Sequence, residues 1–308
     1  MNRGKAGRNR YRAAGTALAL CAAIFLTACA GEHVTAEQTG QDSAAGQDTD
    51  WLAERTKQNR RTKHDLRTEP EDMEKTDRID LDACEGGEVI LSGGGDIWLS
   101  GSLEGQIVID AEEDELVHLY LAGVEITAWK GPALSIREAA KVVVTLVSET
   151  ENVLADSPNY KDCEDTPACL YSACDLTING GGTLLVSGYY EDGIRGKDRI
   201  KLLDGTVTVQ ARGDGIRGND GIYIQNASVN IESEKNGLRT VNRGVQERGL
   251  IEVDGGTLTV IAGKCGICAA SDLYLYECGY SVNAVEEKTR AEGTAYIRVR
   301  STSKDALP

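Results

Sequence analysis

The chain has 308 residues, with 33 Lys and Arg against 49 Asp and Glu, and so carries a formal charge of −16 at pH 7. A polyanion of this kind repels nucleic acid and anionic headgroups, which excludes nucleic acid as a partner and leaves neutral, cationic or cation-bridged ones.

The first twelve residues hold Arg3, Lys5, Arg8, Arg10 and Arg12 and no acid, and residues 13–28 are small and apolar. That is the order of a signal peptide's charged and hydrophobic regions. The apolar run falls short of the roughly 20 residues that span a bilayer. It closes on Leu26-Thr27-Ala28-Cys29, which resembles the lipobox of bacterial lipoproteins. The resemblance implies that residues 1–28 are removed and that Cys29 becomes a lipidated N-terminus, anchoring the chain to the membrane and facing outward. Loss of five positive charges moves the formal charge from −16 to −16 − 5 = −21.

Of nine cysteines, Cys21 leaves with the signal and Cys29 takes lipid, so seven remain. An exported compartment permits disulfides, and an odd number leaves at least one thiol unpaired or joined to another chain. The Cys265-x-x-Cys268 pair has no second CxxC and no His near it in sequence, which argues against zinc or thioredoxin chemistry.

Residues 29–83 read as a polar tether. The stretch 30–50 is too poor in apolar residues to fold, and 51–78 is dense in charges of both signs, with Trp51, Leu52, Leu66 and Met73 too sparse for a helical face. His33 and His64 read as solvated.

From Cys84 the texture changes to alternating aliphatic pairs separated by Gly, Asp and Asn, which predicts strands and turns over 84–300 before a short tail at 301–308. Asp192-Gly193-Ile194-Arg195-Gly196 recurs 22 residues later as Asp214-Gly215-Ile216-Arg217-Gly218, then as Asn236-Gly237-Leu238-Arg239, and more weakly as Cys265-Gly266-Ile267-Cys268. The frame between these corners also repeats, with a seven-residue insertion around 241–250. Equal steps of this kind predict a parallel β-helix whose aliphatics stack inward. An antiparallel sandwich explains the alternation but gives no reason for the constant step. Residues 152–168 read as a loop from one corner, with Cys163 bridged to Cys169 or to Cys174.

The segments Ile97-Trp98-Leu99-Ser100-Gly101-Ser102-Leu103, Gln106-Ile107-Val108-Ile109-Asp110, Leu121-Ala122-Gly123-Val124-Glu125-Ile126-Thr127, Asp175-Leu176-Thr177-Ile178-Asn179-Gly180 and the Asp-Gly-Ile-Arg-Gly corners resemble the carbohydrate-binding-domain lipoproteins of bacteria over residues 90–285. The resemblance implies an all-β, right-handed parallel β-helix related in shape to pectate lyases. It also implies calcium ions as cofactor and an acidic polysaccharide such as polygalacturonate as partner.

If Asp192 and Asp214 stack one strand spacing apart, about 4.8 Å, they repel by about 3 to 4 kcal/mol at an effective dielectric near 20. A positive neighbour is required. Calcium is one candidate, with Asp192, Asp214, Asn236, Asp198 and Asp220 as oxygen ligands; Arg195 and Arg217 are the other. Calcium would bridge protein and uronate carboxylates, Arg195, Arg217 and Arg239 would add bidentate contacts, and Tyr189, Tyr190, Trp98, Trp129 or Tyr223 would stack on a sugar ring. The same residue types occur in calcium-dependent lyases, but arginines that belong to a repeat lack the singular environment of a catalytic base. His118 alternates outward on a strand and reads as a surface residue, so no catalytic histidine constellation is present, and a non-catalytic binding module is the reading adopted. A surface adhesin or scaffold is a further alternative.

Overall fold

A computed structural model describes residues 61–298 apart from 162, 164 and 245–247; the signal peptide, Cys29, the tether before residue 61 and the tail lie outside the described residues. Among the described residues 24 strands form a parallel β-helix, and the only helical element is the single turn Leu81–Ala83. The first coils are made by the long strands Gly95–Asp110 and Leu116–Thr127, which run across corners, and from Lys141 onward the coils lay separate strands on three faces. Face one runs through Lys141–Leu146, Leu176–Asn179, Arg199–Leu203 and Gly221–Gln225. Face two runs through Glu151–Ala155, Thr183–Gly188, Thr206–Ala211, Ser228–Ser233 and Thr257–Ala262, and face three through Ala168–Ser172, Asp192–Gly196, Ile216–Gly218, Leu238–Thr240 and Cys265–Ala269.

The repeat sets the register. Ile194 pairs with Ile216 and Ile216 with Leu238, both steps of 22 residues; Leu238 pairs with Ile267, a step of 29. The extra seven residues fall between Thr240 and Leu250, and the stack resumes in register after them. Alternation then sends every second side chain inward. Ile200, Ile222, Ile251 and Leu273 stack in one fully buried column, and Val207, Val229 and Leu258 in another. Each buried aliphatic contributes about 1.5 to 3 kcal/mol.

The glycine of the repeated Asp-Gly pair is there for space. A Cβ on Gly193 would lie 2.2 Å from Val209 Cγ1, on Gly215 2.2 Å from Ile231 Cγ2, on Gly237 2.3 Å from Val260 Cγ1 and on Gly266 2.2 Å from Val282 Cγ1. These glycines form a column along the narrow edge between faces two and three, where the facing β-branched side chains fill the interior.

The structure departs from the sequence reading in the segment 61–83. Instead of trailing as a tether, it lies along face one as a strap and runs against the direction in which the coils stack. Asp65 is fully buried. Its carboxylate accepts from Lys141 Nζ, from Thr177 Oγ1 at 2.5 Å and from Lys201 Nζ at 3.1 Å, three residues on three successive coils. Two residues on, Arg67 forms a bidentate pair with Asp96, with both N–O distances 2.5 Å, and its carbonyl accepts from Asn179 Nδ2. The Glu71 N–H bonds to Asp96, and Asp77–Asp80 then pairs beside Ile97 to begin the solenoid.

His118 is corrected by the same feature. It points outward, as alternation requires, but this part of face one is covered, and the ring is fully buried with Nε2 2.7 Å from Thr145 Oγ1. Burial first, and then Arg67, push its pKa down to about 3, so it is neutral at physiological pH. The cysteine reading is also corrected: Cys265 is bridged to Cys268, while Cys163, Cys169 and Cys174 are free thiols.

Candidate functional site

On face three the strands Asp192–Gly196, Ile216–Gly218 and Leu238–Thr240 bring Arg195, Arg217 and Arg239 into register on adjacent coils. Their side chains alternate outward and stand side by side at about 4.8 Å per step. They line a groove of about 350 Å³ with Tyr190, Glu191, Asp192, Asp214 and Lys235. Four cations against three acids make it locally positive (4 − 3 = +1), on a chain whose overall charge is −16.

The acids of the repeat do specific work. Asp192 Oδ1 accepts the N–H of Asp214 at 2.8 Å, and Asp214 Oδ1 accepts both the N–H and the Nδ2 of Asn236, at 3.1 and 2.6 Å. Asn236 Oδ1 in turn accepts the Cys265 N–H at 3.3 Å. Each side chain satisfies a buried backbone donor of the next coil, which is why the acid or amide recurs at three successive corners. The outer oxygens face guanidinium groups: Asp192 Oδ2 lies 3.5 Å from Arg195 Nη1, and Asp214 Oδ2 3.2 Å from Arg239 Nη1. Burial, and then the neighbouring Asp214 carboxylate, raise the pKa of Asp192 to about 6.

Arg217, the middle rung, is different. It forms no hydrogen bond or ion pair among the described residues, and its buried Nε has no partner. Burial lowers its pKa, as do Arg195 and Arg239 on either side, with Asp192 and Asp214 partly offsetting them. Arg195 and Arg239 each have a carboxylate, and Arg217 is left between them with donors to spare.

The five suggested calcium ligands are divided between two corners. Asp192, Asp214 and Asn236 precede the face-three strands, whereas Asp198 and Asp220 follow them, in a corner shared with Asp175. Asp220 is engaged by Asn242 Nδ2 and lies 3.4 Å from Arg248 Nη1. At the first corner the carboxylate oxygens accept from N–H groups, and Asn236 presents its amide nitrogen to Asp214. A cation wanting six to eight oxygens does not fit donors arranged in this way, and no group of three or more His, Cys, Asp or Glu suited to a metal occurs among the described residues.

The aromatic candidates also separate. Tyr190 stacks on Tyr160 with ring centroids 4.1 Å apart, and Asp156 holds that corner by accepting from Tyr160 OH at 2.8 Å and from the Tyr189 N–H at 2.5 Å. Tyr190 therefore closes one end of the arginine groove. Its neighbour Tyr189 is half exposed and faces a different groove. Tyr223 is buried, Trp98 lies between Tyr120 and Arg78, and Trp129 is exposed but lies outside both grooves. Sequence reasoning placed Glu191 in a column beside the repeated acids but missed Lys235, which pairs with it across the groove at 2.6 Å; its position beside a repeated corner is the one available signal.

The fold and the groove together define a parallel β-helix that carries a row of cationic side chains along one face. The chain belongs to the carbohydrate-binding domain-containing protein family, whose profile matches residues 85–306. A carbohydrate-binding domain-containing protein of Acetivibrio thermocellus is 34% identical over 145 residues, 46% of this chain and 51% of the relative, so the match spans about half of that protein's length. Among solved structures, the polysaccharide lyase-like protein from C. thermocellum, determined as a gadolinium derivative, superposes with a TM-score of 0.67 at 27% identity. That match covers 74% of this chain and 97% of the other.

Proposed function

We propose that this protein is a non-catalytic binder of acidic polysaccharide, carried on the outer face of a membrane by lipidated Cys29, and that the sugar carboxylates dock on the Arg195, Arg217 and Arg239 ladder. The observation that carries this reading is Arg217, a half-buried guanidinium without a hydrogen-bond partner, in register between two arginines that each have one. A guanidinium offers a planar fork matched to a carboxylate, and family membership supports a carbohydrate as the source of that carboxylate. Binding through the arginines needs no bridging calcium. The arginines stand in a repeated ladder with their acids committed to backbone donors, an arrangement that supports holding a chain rather than abstracting its proton.

The test is a titration of the protein with polygalacturonate, with and without EDTA. Arg217→Ala is expected to weaken binding by about 1.5 to 3 kcal/mol, the range for hydrogen bonds to charged groups, while binding by the unaltered protein persists in EDTA and weakens with added salt. Ultraviolet absorbance of the incubated polymer should not rise, as it would if an unsaturated lyase product formed. Full affinity in Arg217→Ala would overturn the assignment of the groove.

A pH effect follows from Asp192. Its folded pKa, about 6, lies above its ordinary value of 3.8, so the folded state holds the extra proton between those values, and folding stability from this group falls as pH rises through that window. Protonation also removes the charge facing Arg195. Affinity for polygalacturonate is expected to rise as pH falls from 7 to 5, and Asp192→Asn should flatten that dependence.

A further inference from the structure

Beyond the arginine ladder, a second groove of about 470 Å³ lies across the edge between faces two and three, reached from the same 187–191 corner. Its rungs come from successive coils: the backbone bonds Arg212 N–H to Gly188 O, Gly263 N–H to Ser233 O and Val285 N–H to Ala262 O carry the stacking past the strand ends. Gly263, in the lining, contributes no side chain, because the backbone of the preceding coil passes too close for one. A Cβ there would lie 2.1 Å from Glu234 O.

The lining has the composition of a sugar platform and lacks the charge of the first groove. Tyr189 is 51% exposed, Ile261 43% and Val285 81%, so the groove presents an aromatic ring and two aliphatic side chains to solvent on one edge of a −16 chain. Between them Gln210, Arg212 and Glu232 form no side-chain hydrogen bond or ion pair among the described residues. Ser233, also in the lining, is 7% exposed and its Oγ has no partner. One cation against the acids Glu232 and Glu234 leaves no positive excess, so the groove lacks the net charge that draws a polyanion to the first one.

We propose that this groove is a second carbohydrate subsite, one that takes a neutral, extended pyranose chain by stacking a ring on Tyr189 and hydrogen-bonding its hydroxyls to Gln210, Arg212 and Glu232. Aromatic faces bury the apolar side of a ring while planar polar side chains meet its hydroxyls, and both chemistries are present with capacity unspent. The groove follows the solenoid axis, which favours a straight chain over a branched one. Tyr189 and Tyr190, adjacent in sequence, thus serve two grooves: Tyr190 closes the cationic one and Tyr189 opens the neutral one.

The experiment is a calorimetric titration of the full chain with neutral β-1,4-linked galactose and glucose hexasaccharides, and in parallel with an oligogalacturonate. At least one neutral hexasaccharide is expected to bind with little dependence on salt. Tyr189→Ala should weaken it about tenfold, Tyr189→Phe should retain it, and Arg217→Ala should leave it unchanged. Tyr189 is exposed and its ring is not part of the core, so its removal leaves the fold in place, and circular dichroism of the variant checks that directly. No binding of either neutral sugar, or binding that Tyr189→Ala leaves intact, overturns the subsite. Loss of oligogalacturonate binding in Arg217→Ala reports on the other groove alone, so the two readings fail separately.

Discussion

Asp65→Ala is expected to lower the stability of the domain by about 3 to 5 kcal/mol, the cost of removing one member of a buried charge cluster. The carboxylate is fully buried, and it is bonded by Lys141 and Lys201 and by Thr177 and Thr62. Without it, two ammonium groups, 14% and 7% exposed, face each other with no counter-ion from the strap. Asp65→Asn keeps the shape but not the charge and should fall between the two. The sign of the pH dependence follows from the same contacts. Burial acts to raise the pKa of Asp65, but the bonds from Lys141, Thr177 and Thr62 outweigh it and hold the group well below its ordinary 3.8. The stabilisation is therefore complete above about pH 4, near the unfolded value, and is lost as pH falls through the depressed folded value. Urea unfolding of the two variants at pH 7 and at pH 3 measures both effects; a change under about 1 kcal/mol in Asp65→Ala at pH 7 would show that the strap contributes little.

Gly215→Val is expected to cost at least about 3 kcal/mol, at the upper end of overpacking penalties. A Cβ at 215 would sit 2.2 Å from Ile231 Cγ2 and 2.8 Å from the Gly237 carbonyl oxygen. The side chain can turn away, but the carbonyl belongs to a backbone that accepts the Ile216 N–H at 2.9 Å. Relief would break the stack that holds Arg217 in line, so both the thermal midpoint and polygalacturonate affinity should fall. A compensating Ile231→Ala in the same chain should recover part of the stability, because it clears the nearer of the two obstacles. No recovery would place the damage in the backbone.

These effects show which parts of the molecule were legible in the sequence. The 22-residue step, the inward aliphatic columns and the row of three arginines follow from repetition, because in a solenoid a periodic sequence places equivalent residues on one line. The seven-residue insertion was legible for the same reason, since the pattern resumed after it. The strap was not. Asp65 lies 76, 112 and 136 residues from Lys141, Thr177 and Lys201, and nothing periodic links them, so a charge-rich segment read as solvated. The burial of His118 was hidden with it: alternation placed the ring on the outer face, but only the strap decides whether that face meets water. The site was half legible. Three arginines at equal spacing look equivalent, yet two are committed to carboxylates and one is not, a distinction set by side-chain conformations across coils. A second use of the acids was hidden for a related reason: repetition suggests a ladder of ligands, but only the folded coils show that Asp192 and Asp214 each accept the N–H of the next corner.

The direction of the strap has a mechanical consequence. The strap grips three middle coils at once through Asp65, and only afterwards does the chain enter the first strand at Asp77. A pull from the N-terminal side therefore loads three layers together in shear, through ion pairs and hydrogen bonds that must give way at the same moment. Had the chain entered directly at the first strand, the same force would peel the stack open one layer at a time. Under the proposed anchoring at Cys29, that order of attachment protects the solenoid when force is applied to its ligand.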